Sequence, residues 1–163
     1  MTETSCISVL PIRSMPTQTL TDFTPGQRYE LAAPALSKDE IIAFASQFDP
    51  QPMHLDEAAG KASVLGGLAA SGWHSLSVIQ TALQTGLLKN CAYGGLTGIP
   101  ELRWKKPVFP GVPFAITVEV TDVAQSCDLD GYGTVTLSCI MADAGTGEAL
   151  TTARLTLRMG LGA

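Results

Sequence analysis

Three runs in the second half of the chain alternate between large apolar residues and mostly polar ones. Phe114, Ile116, Val118 and Val120 alternate with Ala115, Thr117, Glu119 and Thr121. Val135, Leu137, Cys139 and Met141 alternate with Thr134, Thr136, Ser138 and Ile140; Ala153, Leu155, Leu157 and Met159 alternate with Arg154, Thr156 and Arg158. A period of two is the mark of a strand with one buried face. Turn residues separate the runs: Pro110-Gly111 before the first, Gly131 and Gly133 between the first two, and Asp143-Ala144-Gly145-Thr146-Gly147 before the last. Leu102 to Lys106 alternates as well and stops at Pro107, and Arg28 to Leu31 reads as a short first strand. A meander of this kind must cover something apolar.

The segment that it can cover opens at Ser71-Gly72 and runs to about Lys89. Leu76, Ile79, Leu83 and Leu87 recur at helical spacing, and Gly72, Ser75, Ser77 and Ala82 keep the other faces narrow. Lys89 in the last turn and Asn90 at the C-cap mark its expected end. So apolar a helix should be almost wholly buried. A shorter helix precedes it. Ser37 caps it with Glu40 three residues on, and Ile41, Phe44, Ala45 and Phe48 share one face. The fold class is therefore α+β, a strongly curved antiparallel sheet wrapped around one long helix. Met1 to Pro25 lacks periodicity and reads as a loosely ordered leader, with a single domain over residues 26–163.

Between the helices lies Phe48-Asp49-Pro50-Gln51-Pro52-Met53-His54, a carboxylate and an imidazole five positions apart with two prolines between them. Pro50 ends the preceding helix, and the residues before each proline are driven out of the helical region. Asp49 thus sits at a helix C-terminus, where the carbonyl end of the dipole disfavours a negative charge. Asp56 to Ala62 can start one or two further helical turns. On these residues alone Asp49 reads first as a solvated loop acid and His54 as a helix cap, ahead of a catalytic pair.

Composition narrows the classes. The 163 residues are 45% hydrophobic, with a formal net charge of -5. That balance supports a real core and argues against nucleic acid as a partner. No apolar run has the length of a membrane span, and no secretory signal follows Glu3. Cys6, Cys91, Cys127 and Cys139 are scattered without a C-x-x-C pair, which suits reduced thiols in a cytoplasmic protein with no metal site. With only two histidines, a catalytic imidazole is His54 or His74. His74 reads as a core or interface residue.

The pattern Phe44-Ala45-x-x-Phe48-Asp49-Pro50-Gln51-Pro52-Met53-His54-Leu55-Asp56, followed by Gly67-Leu68-x-x-Ser71-Gly72-Trp73, resembles the MaoC-like acyl dehydratases, which include the (R)-specific enoyl-CoA hydratases. The Pro107-Val108-x-Pro110-Gly111 turn is similar too. The resemblance covers roughly Phe23 to Met159. It implies the hot-dog fold and a lyase that adds water to an α,β-unsaturated acyl thioester, or removes it. It implies that Asp49 and His54 share the reacting water and that the Gly72 backbone N–H receives the oxyanion. The implied substrate-binding set is Pro52, Ser71, Trp73, Arg103 and Lys105. Arg103, Lys105 and Lys106 are the cations at hand for the phosphates of coenzyme A, although a solvated strand face is their ordinary fate. Coenzyme A enters as part of the substrate, and no separate cofactor is expected. An acyl-CoA or acyl carrier protein thioester and a second copy of the chain, in a homodimer or higher homo-oligomer, are the implied partners.

The chain departs from the family pattern twice. Gln51 stands where Asn is usual, an amide that braces the loop. Ser71-Gly72-Trp73 stands where many members have His-Gly-Met, which reshapes the pocket mouth. A serine found along the long helix of characterised hydratases has no clear counterpart, and Gln80 lies near that position. Two rival readings stay open: a hot-dog thioesterase, whose carboxylate drives water onto the thioester carbonyl, and a non-catalytic acyl-binding subunit.

Overall fold

The computed structural model describes residues 17–125 and 130–162. Among these residues a 3-10 turn at Leu20–Asp22 is followed in chain order by five strands and four α-helices: β1 (Arg28–Ala33), α1 (Lys38–Phe48), α2 (Pro52–Leu55), α3 (Glu57–Ala62), α4 (Gly72–Thr85), β2 (Tyr93–Trp104), β3 (Phe114–Ala124), β4 (Tyr132–Asp143) and β5 (Ala149–Gly160). The strands form one antiparallel sheet in the order β1-β3-β4-β5-β2. Cys6 falls in the first 16 residues and Cys127 in residues 126–129, both outside the described residues.

The alternation sets the register. Ile116 lies opposite Met141, Val118 opposite Cys139 and Val120 opposite Leu137 across β3 and β4. Leu137 faces Leu155 and Val135 faces Leu157 across β4 and β5. All of these side chains are buried, and they meet Ile79, Ala82 and Leu83 of α4 in one core. A one-residue slip would turn every one of them to solvent. This sheet-on-helix layout is the hot-dog fold.

Several elements differ from their sequence expectations. α4 ends at Thr85 rather than near Lys89, with Gly86 at its C-cap. A Cβ on Gly86 would lie 2.9 Å from the Ala82 carbonyl oxygen and 2.8 Å from Leu31 Cδ2, so glycine suits the tight space where the helix ends beside β1. Leu87 and Leu88 stay buried in the following turn, which explains why the apolar spacing runs on past the helix. Nor is α4 wholly buried. Trp73, Ser77, Thr81 and Thr85, spaced four apart, form an exposed stripe because the sheet covers only one side. Phe48 is also exposed, its ring centroid 5.0 Å from that of Phe44.

β2 begins at Tyr93, well before the alternation at Leu102. Three register shifts against β5 break its period, and Gly94, Gly95, Gly98 and Pro100 hide it. Pro100 is tolerated because β2 is an edge strand. Part of the expected leader belongs to the fold. Gln18 exchanges backbone hydrogen bonds with Asn90 and Ala92, at 2.8 and 2.7 Å, and Leu20 and Phe23 are buried. No helix among the described residues is long and apolar enough to cross a membrane.

Ile79 and Leu83 are fully buried on the covered side of α4. Leu83→Ala should lower the unfolding free energy by roughly 2–5 kcal/mol, from lost transfer energy and the cavity left behind. Urea unfolding of the two proteins measures it, and a loss below about 1 kcal/mol would show that α4 is not the centre of the core.

Candidate active site

The capping box of α1 forms as its sequence requires. The Ser37 backbone N–H donates to Glu40 Oε2 at 2.7 Å, and the Glu40 N–H donates to Ser37 Oγ at 3.2 Å. At its other end Pro50 halts the helix and leaves Asp49 as C-cap, in a non-helical conformation with φ -157° and ψ 70°. Pro52 then occupies the first position of α2, where its missing N–H does no harm. One turn later that helix delivers His54, which is buried.

The imidazole is held by a backbone carbonyl. His54 Nδ1 lies 2.7 Å from the Ala69 oxygen. A carbonyl only accepts, so Nδ1 carries the hydrogen and the neutral ring presents a lone pair at Nε2. The segment supplying that carbonyl is itself pinned. The Ala69 N–H donates to the Met53 oxygen at 3.3 Å and the Ala70 N–H to the Val108 oxygen at 2.8 Å. Gly60 of α3 admits the same segment closely, since a Cβ there would lie 2.6 Å from the Gly67 carbonyl carbon.

Nε2 faces Asp49 Oδ2 at 3.7 Å. That is too long for a direct hydrogen bond and suits two acceptors sharing one small donor, such as a water. Asp49 receives two side-chain hydrogen bonds. The Ser71 hydroxyl donates to Oδ2 at 2.6 Å, and the Gln51 amide donates to Oδ1 at 2.8 Å. The Ser71 hydroxyl, then the Gln51 amide, hold the carboxyl below its ordinary value; burial opposes them, and the nearby His54 assists. The hydrogen bonds thus outweigh the unfavourable end of the α1 dipole.

Asp49, His54 and Gly72 line one cavity of about 370 Å³. Trp73 and Trp104 form its aromatic wall, with ring centroids 5.6 Å apart and planes at 74°. Gly72 is the first residue of α4, so its N–H belongs to the turn that has no partner within the helix. The Trp104 indole lies against its Cα in the space that a side chain would fill. Lys105 and Lys106 stand at the rim, their backbone N–H groups donating to the Leu150 oxygen. Lys106 Nζ pairs with Glu148 at 3.1 Å, while Lys105 makes no ion pair among the described residues. No group of three His, Cys, Asp or Glu side chains among the described residues could hold a metal ion.

The family profile described as "MaoC like domain" matches residues 18–140. The chain belongs to the MaoC-like family. It is 33% identical over 120 residues to the uncharacterized protein YdeM of Bacillus subtilis (strain 168), covering 73% of this chain and 84% of that one. It is similar to the crystal structure of a MaoC-like dehydratase from Rhodospirillum rubrum, at 30% identity and a TM-score of 0.77, covering 89% of this chain and 98% of the other. It is also similar to an (R)-hydratase from A. caviae described as involved in PHA biosynthesis, at 26% identity and a TM-score of 0.62, covering 83% and 96%.

Within this MaoC-like domain, Asp49, His54, Gly72, Trp73 and Lys105 share the cavity. Pro52 and Arg103 do not line it; both are exposed, and Arg103 Nε pairs with Glu101 at 2.7 Å. Ser71 is fully buried behind the wall. Gln80, about two turns along α4 from Gly72, does not line the cavity, whereas Ser75 does. The sequence signal for Ser75 was its spacing of three from Gly72, which puts both on one helix face. Trp104 gave no such signal, because only the sheet's curvature brings the end of β2 over the head of α4. His74 faces elsewhere. It stacks on Phe44 at 4.3 Å with the planes 6° apart, and it lines a second cavity of about 300 Å³. Burial pulls its pKa down against the opposing effect of Glu40.

The depressed pKa of Asp49 has a stability consequence. Its ionised form stabilises the fold fully above the unfolded-state value near 4, and that contribution is lost as pH falls through the lower folded-state value. Asp49→Asn should therefore flatten the loss of stability below about pH 4, as read from urea unfolding across that range. An unchanged slope would show that the carboxylate is not held by its neighbours.

Proposed function

We propose that this chain is an enoyl-thioester hydratase, acting on enoyl-CoA or, in reverse, dehydrating a 3-hydroxyacyl-CoA. Family membership supports hydratase or dehydratase activity in general. The observation that carries the finer reading is the pairing of His54 Nε2 with Asp49 Oδ2 across 3.7 Å, on the wall of a cavity that also receives the head of α4.

The geometry supports the following chemistry. A water held between Oδ2 and Nε2 gives its proton to Nε2 as its oxygen bonds to the β-carbon of the enoyl group. The electron pair of the double bond moves towards the thioester oxygen, which gains enolate charge. The Gly72 N–H, at the positive end of the α4 dipole, receives that charge. The proton on Nε2 then returns to the α-carbon, so that one water has been added across the double bond. Asp49 stays ionised throughout and stabilises the transient imidazolium. Positioned proton transfer of this kind contributes about 10²- to 10⁴-fold. The position of Lys105 at the rim, without an ion pair among the described residues, supports a contact with a phosphate of the carrier.

The same reading includes a second copy of the chain. β2 is an edge strand with no strand on its outer side among the described residues, and Leu96 and Ile99 on it are exposed along with Trp73 and Trp104 beside the cavity. Such an edge is normally covered, and pairing would shield the cavity mouth. Light scattering should give the mass of two chains or a multiple, and Leu96→Lys should shift it towards one; a monomeric wild type would remove this part of the proposal.

The activity test is incubation with crotonyl-CoA. Loss of enoyl absorbance without free thiol is the expected result, and thiol release without that loss would indicate hydrolysis instead. Asp49→Asn and His54→Ala should each lower kcat by about 10²- to 10⁴-fold with the fold intact by circular dichroism. Full activity in both variants would overturn the assignment.

A further inference from the structure

Ser71 was expected at the pocket mouth, in contact with substrate. The fold puts it elsewhere: the neighbours Ala70 and Gly72 line the cavity, whereas Ser71 is fully buried. Its hydroxyl joins two elements. As N-cap of α4 it accepts the Trp73 N–H at 3.2 Å, and it donates its own proton to Asp49 Oδ2 at 2.6 Å. The chain of donors runs from the head of α4, through the hydroxyl, to the carboxylate that ends α1.

We propose that Ser71 is a positioning residue, which fixes the Asp49 carboxylate between the end of α1 and the head of α4 with Oδ2 turned to His54 Nε2. A carboxylate at a helix C-cap is free to rotate about its last torsion. Gln51 holds Oδ1 from the same loop, two residues away, and so does not tie the carboxylate to another element. Ser71 is the anchor from a different element, 22 residues away. Its bond to Oδ2 is also the first cause of the depressed pKa of Asp49. The other ionisable side chains on the same cavity are His54 from α2 and, at the rim, Lys105 and Lys106. The short bond and the complete burial of Ser71 make its contact with Asp49 specific, where substrate contact would need an exposed hydroxyl. The catalytic consequence rests on the hydratase reading; the anchoring of Asp49 does not.

The test separates the two. The full chain carrying 13Cγ-labelled aspartate is titrated by NMR, with the Asp49 signal assigned by its loss in Asp49→Asn. Ser71→Gly removes the hydroxyl, and glycine is nearly as good an N-cap as serine, so α4 should remain folded. Ser71→Ala, which keeps the β-carbon, is the second variant. In both, the Asp49 midpoint should rise towards that of an ordinary carboxylate. With crotonyl-CoA, kcat should fall about 10- to 100-fold with little change in KM, the mark of misplaced reacting groups rather than lost binding. An Asp49 midpoint unchanged from wild type in the two variants, or wild-type turnover in Ser71→Gly, would overturn the assignment. If the wild-type chain hydrates no enoyl thioester, the hydratase reading falls, and the titration still decides whether Ser71 holds the carboxylate.

Discussion

The structure depends on the burial of one side of α4 by a sheet long enough to curve over it. Ile79, Ala82 and Leu83 meet the inward-facing residues of β3, β4 and β5 in a single core. Every other feature takes its place from that contact. The twist of the sheet carries β2 round to the head of α4, so that Trp104 closes over Gly72. Had β2 run flat, the aromatic wall and the lysines of the rim would lie far from the acid and the imidazole.

The site is assembled from element ends. α1 stops at Asp49, α2 is one turn long and bears His54, and α4 starts at Ser71-Gly72. Helix termini leave backbone groups unsatisfied, and here those groups and their caps become the polar lining of an otherwise apolar cavity. One residue serves both ends: Ser71 caps α4 and binds the carboxylate that caps α1. The buried carbonyl of Ala69 selects the tautomer of His54, which decides the nitrogen that meets Asp49. Stability and the proposed chemistry therefore draw on the same hydrogen bonds.

Much of the fold was legible in the chain because local physics governs it. The alternation of β3, β4 and β5 survives into the buried and exposed faces of those strands, and the Ser37-Glu40 capping box forms. β2 was only half legible, since its glycines, Pro100 and register shifts erase the period of two. The end of α4 was misplaced because Leu87 and Leu88 continue the apolar spacing after Gly86 has broken the helix. In both cases packing against a distant strand overrode the local pattern.

What the sequence determined by itself is the chemical inventory and its local geometry. Two prolines stiffen the segment between Asp49 and His54, and Pro50 forbids the helix to absorb the acid. Those are covalent constraints, and they act whatever surrounds them. The tertiary structure alone decided which residues meet. Ser71 lies 22 positions from Asp49 and Trp104 lies 32 from Gly72, and no periodicity encodes such distances. Contacts of that range arise only when the buried area of α4 and the sheet outweighs the entropy of closing the chain between them.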